Sequence, residues 1–446
     1  MTKKLFQISL GCSKNLVDSE VMLGLLSEAG YEICEAPEDA DLLLVNTCGF
    51  IQPAVEEAID EILAMAEVKK ADPNKKLVVT GCLVQRYRDS LAAEIPEVDC
   101  FIGTDGFQDI LLHLAALGSD HNEQVAVKAP PSYIMDSSTP RRLSTPGHRA
   151  FLKITEGCIN RCTYCMIPSI RGTLRSREIG DIVKEAQRLE AQGVKEICLI
   201  AQDLTAFGLD RDPKEPQLLA LLKELLTKCD IPWFRLLYLH PKRVEQPLLD
   251  LMAANPRLLP YLDIPVQHVS DRILKLMNRP YDRQYLTSLF ANIRRTLPDI
   301  AIRTTLMVGF PGETEAEVSE MEAFLREQQL DHVGIFTYSN EEGCAAANLP
   351  DHCPEEEMGK RRDRLMAVQA EISTAKNQQQ VGKKLEVLVE GISGETDLLL
   401  EGRSRYQAPE VDGTIYIADG VCAPGDLVQV QITESHTYDL VGEIVS

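Results

Sequence analysis

The sequence lacks several things, and each lack removes a class of function. No apolar run approaches the roughly 18 residues that a membrane span requires, so no membrane contact is expected. The opening residues, MTKKLFQISLGC, show no apolar leader followed by a small-residue cleavage site. The expectation is a cytoplasmic protein. Cations are scarce: 46 Lys and Arg stand against 68 Asp and Glu, a net charge of -22. Phosphate affinity comes mainly from Lys and Arg, so strong direct nucleic-acid binding is not expected and a basic protein partner suits the chain better. There is no low-complexity tract and no whole-domain repeat. At about 150 residues per domain, the 446 residues suggest about three domains.

The residue pattern agrees with three. Across 1–145, short apolar runs (LFQISL, DLLLVN, KLVVT) alternate with helical patterns over 18–29, 53–69 and 85–93, which predicts a parallel α/β sheet. The stretch 128–147, with four prolines, reads as a linker. Over 146–375 the strand–helix alternation repeats about six times, through AFLKITE, KEICLIA, WFRLLYL, YLDIPVQ, AIRTTLMVG and HVGIFTY. Six such units predict an open (β/α)6 barrel, smaller than the eight-unit form, followed by a charged helical connector over 355–376. Residues 376–446 change to alternating strands (Leu385, Val387, Val389; Val428, Val430, Ile432) and predict a small antiparallel β-barrel. The fold class is α/β with this all-β appendage.

Thirteen cysteines are present. In a reducing compartment an odd set of this size points to metal or catalysis rather than disulfides. Cys158, Cys162 and Cys165 fall within eight residues, immediately after the first barrel strand. Three thiolates at that spacing suit zinc or an iron–sulfur cluster. Structural zinc wants four protein ligands, and no fourth Cys or His lies nearby. A cubane held by three cysteines instead leaves one iron open for chemistry. Cys12, Cys48 and Cys82 form a second set, 36 and 34 residues apart, each just after a predicted strand. In a parallel sheet those strand ends share one edge, where open α/β folds bind ligands. Three core cysteines would give the same spacing. The other seven show no pattern and read as small buried hydrophobes.

These motifs carry a family resemblance. CxxxCxxC opening a six-unit β/α barrel resembles the radical S-adenosylmethionine (SAM) enzymes, in which the open iron chelates the methionine of SAM and reduction yields a 5′-deoxyadenosyl radical. The three-cysteine domain before it and the small barrel after it are similar to the methylthiotransferases, whose last domain is called TRAM; the resemblance covers essentially the whole chain. It implies two 4Fe-4S clusters, held by Cys12, Cys48 and Cys82 and by Cys158, Cys162 and Cys165, with SAM as cosubstrate and an electron donor such as flavodoxin or ferredoxin. Two branches compete: one modifies an adenosine of transfer RNA, the other an aspartate β-carbon of the twelfth small-subunit ribosomal protein. SLGCSKNLVDSE (9–20), LVNTCGFI, VVTGCLVQRY, KITEGC, CTYCMIPSIRGTLRSR and IPVQHVSDRIL resemble the ribosomal-protein branch; the transfer-RNA branch tends to have Gln-Met at Ser13-Lys14.

The resemblance also nominates SAM contacts. Tyr164 would pack near the adenine, Gln202 with Asp203 would take the place of a Gly-Glu motif that meets the methionine amine, Gln267 and Arg303 would hold ribose and carboxylate, and Gly309 would allow close backbone approach. No residue is assigned as a catalytic acid or base. Arg171, Arg175 and Arg177 read either as solvated surface or as neighbours of an acidic substrate side chain. Charge is uneven: net -11 over 1–145, -4 over 146–375 and -7 over 376–446. An acidic last domain complements a basic ribosomal protein and repels RNA, so Glu390, Glu401, Glu410 and Asp412 are expected to dock the substrate. A non-catalytic iron–sulfur carrier and a zinc-stabilised binding module are the readings from other classes.

Overall fold

The computed structural model describes residues 2–117, 124–212 and 215–445. The first sheet holds β1 (Lys3–Ser9), β2 (Tyr31–Ile33), β3 (Leu42–Thr47), β4 (Lys76–Gly81), β5 (Cys100–Ile102) and β6 (Val125–Ala126), all parallel in the order β2-β1-β3-β4-β5-β6. The three expected strands are its β1, β3 and β4; the other three are only two or three residues long. β3 (LLLVNT) is buried along its whole length, as a strand covered on both faces must be. Chain order reverses between β1 and β3, the switch point at which open α/β sheets form a crevice outside their carboxyl ends. Helices α1 (Ser13–Glu28), α2 (Gln52–Ala71) and α3 (Cys82–Glu94) follow β1, β3 and β4.

The second sheet holds β7 (Arg149–Lys153), β10 (Glu196–Ile200), β11 (Trp233–Leu236), β12 (Leu258–Asp263), β13 (Ala301–Val308) and β14 (His332–Thr337) in chain order, again all parallel. This is the open six-unit barrel. One face (Leu152, Ile197, Leu199, Leu236) packs on the surrounding helices. The other (Phe151, Cys198, Ile200, Tyr261) packs on α1 through Val17, Val21 and Met22, in one buried cluster that continues into Leu42, Leu44 and Val78 of the first sheet. Helix α1 is therefore the joint between the two units, and that explains its composition. Lys14, Asn15, Asp18, Ser19 and Glu20 are polar yet buried: Lys14, Asn15 and Asp18 meet Tyr238, Arg171 and Lys153 across the joint, Glu20 meets Arg141, and Ser19 bonds Ser9 and Asn46 within the first unit. The stretch 128–147 is not a free linker but a strap across α1: a Cβ on Gly24 would sit 2.6 Å from the backbone of Pro140 and Arg141, and Arg141 pairs with Glu20 at 2.6 Å and with Glu185 at 2.7 Å.

A short antiparallel ladder, β8 (Thr155–Glu156) with β9 (Arg175–Ser176), pinches off the loop between them. The last unit, β15 (Lys384–Ile392), β16 (Leu400–Ser404), β17 (Ile415–Asp419), β18 (Leu427–Ser435) and β19 (Leu440–Ile444), closes into a barrel in the order β15-β16-β17-β19-β18; β17 and β19 pair in parallel and the other neighbours antiparallel. It is seated on the second sheet by charge. Glu196 receives Arg235 at 2.6 Å and Arg403 at 2.5 Å, and Tyr261 donates to Asp412 at 2.7 Å. Two of the acids expected to dock a substrate are consumed here. Glu390 holds His148, Arg149 and Arg403, and the Asp412 side chain is buried against Tyr261 and Arg303. Glu410 stays exposed, paired with Arg149 at 3.0 Å, and Glu401 is half-buried.

Candidate active site

Cys12, Cys48 and Cys82 come from three adjacent strand ends. Cys12 follows β1 and caps α1, its carbonyl accepting from the Asn15 and Leu16 N–H groups at 2.9 and 3.0 Å. Cys48 follows β3, and Cys82 opens α3 directly after β4. Parallel pairing of β1 with β3 and of β3 with β4 converts separations of about 35 residues into neighbours. Gly11 makes the fit possible. It lies at φ +91, and a Cβ there would meet the Cys48 Cβ at 2.8 Å and its Sγ at 3.1 Å. We expect Gly11→Ala to displace Cys48 and lower the iron retained at this set after anaerobic reconstitution, while Gly30→Ala, at a similar φ but with nothing nearby, leaves iron content unchanged.

Cys158, Cys162 and Cys165 lie in the loop that β8 and β9 pinch off. Gly157, at φ +75, starts this loop; a Cβ there would strike the Thr173 carbonyl oxygen at 2.1 Å. Further ties fix its crown: Thr163 bonds the Leu276 and Met277 carbonyls at 2.9 and 3.2 Å, and Cys158 N–H donates to the Gly172 carbonyl at 3.2 Å. Burial pushes Cys158 up to about 11 and Cys165 up to about 12.

Both sets open into one cavity of about 360 Å³, lined by all six cysteines together with Lys14, Tyr164, Gln202, Tyr238, Gln267 and Arg279. Among the described residues no three His, Cys, Asp or Glu side chains converge closely enough for a single metal ion. Three thiols on each side, with no fourth thiol among the described residues of the cavity wall beside either set, fit a cubane with one open iron better than a closed four-thiolate zinc site. The walls also carry orphaned polar atoms. Gln202 donates to Glu156 at 2.9 Å but its buried Oε1 has no partner; Arg279 donates to the Pro265 carbonyl at 3.1 Å but its buried Nε has none. An unpaired acceptor and an unpaired donor on two residues that line one cavity suit the ammonium and carboxylate of an amino acid.

Electrostatics tie the two sets together. Arg171 Nη2 reaches Cys82 Sγ at 3.4 Å and Asn15 at 3.0 Å, while its Nη1 pairs with Asp18 at 2.6 Å and lies 3.4 Å from Glu156. Lys153 completes a buried quartet by pairing with both Asp18 and Glu156. At Cys12, an exposed residue, desolvation by the surrounding site would raise the thiol, but Lys14 and Arg171 outweigh it and hold the thiol below its ordinary value; at Cys82, which is buried, burial prevails and pushes it up to about 12.

Comparison with known proteins now decides the family. Residues 4–103 match an uncharacterized protein family termed UPF0004, 152–325 the radical SAM superfamily and 381–445 the TRAM domain. The chain is 56% identical over 443 residues to the "Ribosomal protein uS12 methylthiotransferase RimO" of Desulfotalea psychrophila, covering 99% of each chain. Proteins of the same name from Anaeromyxobacter sp. and Geobacter sulfurreducens are 48% and 45% identical, covering 100% of this chain in both cases and 94% and 99% of theirs. The chain belongs to the RimO methylthiotransferase family. As a RimO-family chain it is a radical SAM methylthiotransferase, working with SAM and two 4Fe-4S clusters. Solved structures agree on the fold: the radical SAM methyltransferase TsrM from Kitasatospora setae superposes with a TM-score of 0.57 at 15% identity, covering 88% of this chain and 79% of its own.

Within the RimO-family fold, the other nominated residues separate. Tyr164, Gln202 and Gln267 line the shared cavity; Gln267 does so at φ +71, while its N–H donates to the Thr305 carbonyl at 2.8 Å. Arg303 does not line it. It faces a second cavity and pairs with Asp263 at 3.2 Å and Asp412 at 3.4 Å. Gly309 is covered by Met358, whose Cγ lies 2.1 Å from where a Cβ would be, and its N–H donates to Glu313 at 2.9 Å. Asp203 is held by Arg243, Asn160 and Thr205. Arg171 and Arg177 are buried ion-pair partners, not solvated surface. Lys14 and Arg279 were not nominated. Lys14 stood in view, two residues after Cys12, whereas Arg279 has no local signal.

Proposed function

We propose that the chain methylthiolates the β-carbon of an aspartate in ribosomal protein uS12, with Cys158, Cys162 and Cys165 holding the SAM-cleaving cluster and Cys12, Cys48 and Cys82 the auxiliary one. The observation that supports this is the single cavity shared by both cysteine sets: two centres that open on one space can act on one substrate carbon. Bound there, the clusters and SAM supply hydrogen-atom abstraction and sulfur insertion at an unactivated C–H bond, chemistry that side chains alone do not offer. The chain's own residues bind and orient. Gln202 would accept from the methionine amine, Arg279 would donate to its carboxylate, and Tyr164 would cover the adenine. The buried quartet keeps the two sets in fixed register.

The three units are taken as 1–145 for the auxiliary cluster, 146–375 for the radical SAM core and 376–446 for substrate docking. With Glu390 and Asp412 committed internally, docking of the basic ribosomal protein falls to exposed acids such as Asp397, Asp419, Glu434 and Glu443. A flavodoxin or ferredoxin of the cytoplasm supplies electrons, and no strong direct contact to nucleic acid is made. Mass spectrometry of ribosomal proteins from strains with and without the gene tests the reading. A gain of about 46 Da, a methylthio group replacing hydrogen, on one uS12 aspartate is expected. An unmodified uS12 together with loss of a methylthioadenosine in transfer RNA would overturn it.

A further inference from the structure

Lys14 carries a charge that no carboxylate answers directly among the described residues; what faces it is the Tyr238 side chain and the Cys12 thiol. The Lys14 side chain is only 8% exposed, yet it lines the cavity between the two cysteine sets. Its near neighbour is the Tyr238 ring, 3.2 Å from the ammonium to the ring centre. Among the described residues no carboxylate pairs with it. The acid that acts on it from a distance, Asp263, is engaged by Arg303 at 3.2 Å and by the Tyr238 N–H at 3.1 Å. Of the other cations nearby, Arg171 and Lys153 are matched by Asp18 and Glu156 and Arg141 by Glu20 and Glu185, while Arg279 bonds the Pro265 carbonyl and leaves its Nε unpaired. A buried cation without an anion is costly unless the working complex brings one.

The substrate brings one. If the reacting atom is an aspartate β-carbon, the reading on which this inference rests, a carboxylate is attached to that atom directly. It cannot remain outside a cavity that the carbon has entered, and it needs a cation there. The cavity has three. Arg171 is saturated. Arg279 lies beside Tyr164 and Cys162, on the SAM side. Lys14 lies beside Cys12, on the side where sulfur is delivered. We infer that Lys14 receives the carboxylate of the substrate aspartate and selects it over asparagine and over an uncharged nucleobase.

The test is the binding of uS12, and of uS12 with the modified aspartate changed to asparagine, to full-length enzyme reconstituted with iron, sulfide and SAM. Wild-type enzyme should prefer the aspartate form by roughly 10- to 100-fold, the range for a hydrogen bond to a charged group. K14M, at equal iron content, should bind both forms alike, and K14R should regain part of the preference. Should K14M fail to load iron, K14Q serves in its place, with the same loss expected. A preference unchanged in these variants, or a shifted cluster potential with the preference intact, would mean that Lys14 only balances cluster charge and would overturn the inference. A wild-type enzyme that binds both forms equally also overturns it. One that binds neither overturns the uS12 reading itself, and the inference with it.

Discussion

Alanine at Cys158, Cys162 or Cys165 is expected to reduce 5′-deoxyadenosine release to background, whereas alanine at Cys12, Cys48 or Cys82 should leave that release intact and abolish methylthio transfer. In either case reconstituted iron should fall from about eight to about four atoms per chain. The asymmetry follows from what surrounds each set. The cavity residues suited to SAM, Gln202 and Arg279, each with an unpaired polar atom, accompany Tyr164 from the cluster loop. The other set faces Lys14 and Arg171, two cations suited to anionic sulfur and a substrate carboxylate. Iron counting, deoxyadenosine chromatography and product mass on the same preparations check the prediction. If alanine at Cys48 removed deoxyadenosine release while the second cluster's iron was retained, the division of labour would be wrong.

The two cysteine sets were legible in the sequence for different reasons. CxxxCxxC is local, so its convergence needs no fold. Cys12, Cys48 and Cys82 are distant, but each follows a strand, and parallel pairing maps successive strand ends to neighbouring places. The strands that escaped, β2, β5 and β6, are too short for any period to show. The polar residues of α1 escaped for a different reason: a helix buried on its polar side looks exposed until its partners are known. Arg171 reads as solvated surface or as a neighbour of the substrate because its partner Asp18 lies 153 residues away. The same blindness made Glu390 and Asp412 look like docking acids. Net charge sets how a surface interacts, but which acids remain on that surface depends on internal pairing, and composition does not record it.

Arg171 is also where the largest stability effect is expected. It stands between Asp18 and Glu156 and is itself only 2% exposed. With Lys153 the quartet holds two positive and two negative groups, so Arg171→Met leaves a net negative charge buried at the joint between the first two units. Breaking a buried pair from one side costs about 3–5 kcal/mol, enough to lower the thermal transition of the two joined units by roughly 5 °C. Arg171→Lys should recover part of this, since it restores the charge but not the fork that spans Asp18 and Asn15. The pH dependence carries a sign. Burial would raise the Glu156 carboxyl, but Lys153 and then Arg171 hold it at about 2, below the ordinary 4.5. A depressed carboxyl stabilises the fold above its unfolded value and loses that contribution as pH falls towards the folded one. Wild-type protein should therefore shed this stability between about pH 4.5 and about pH 2, and Arg171→Met should show a shallower loss over the same window. Thermal unfolding followed across that pH range measures both slopes. Equal slopes would show that the quartet contributes no more to the joint than ordinary surface pairs do.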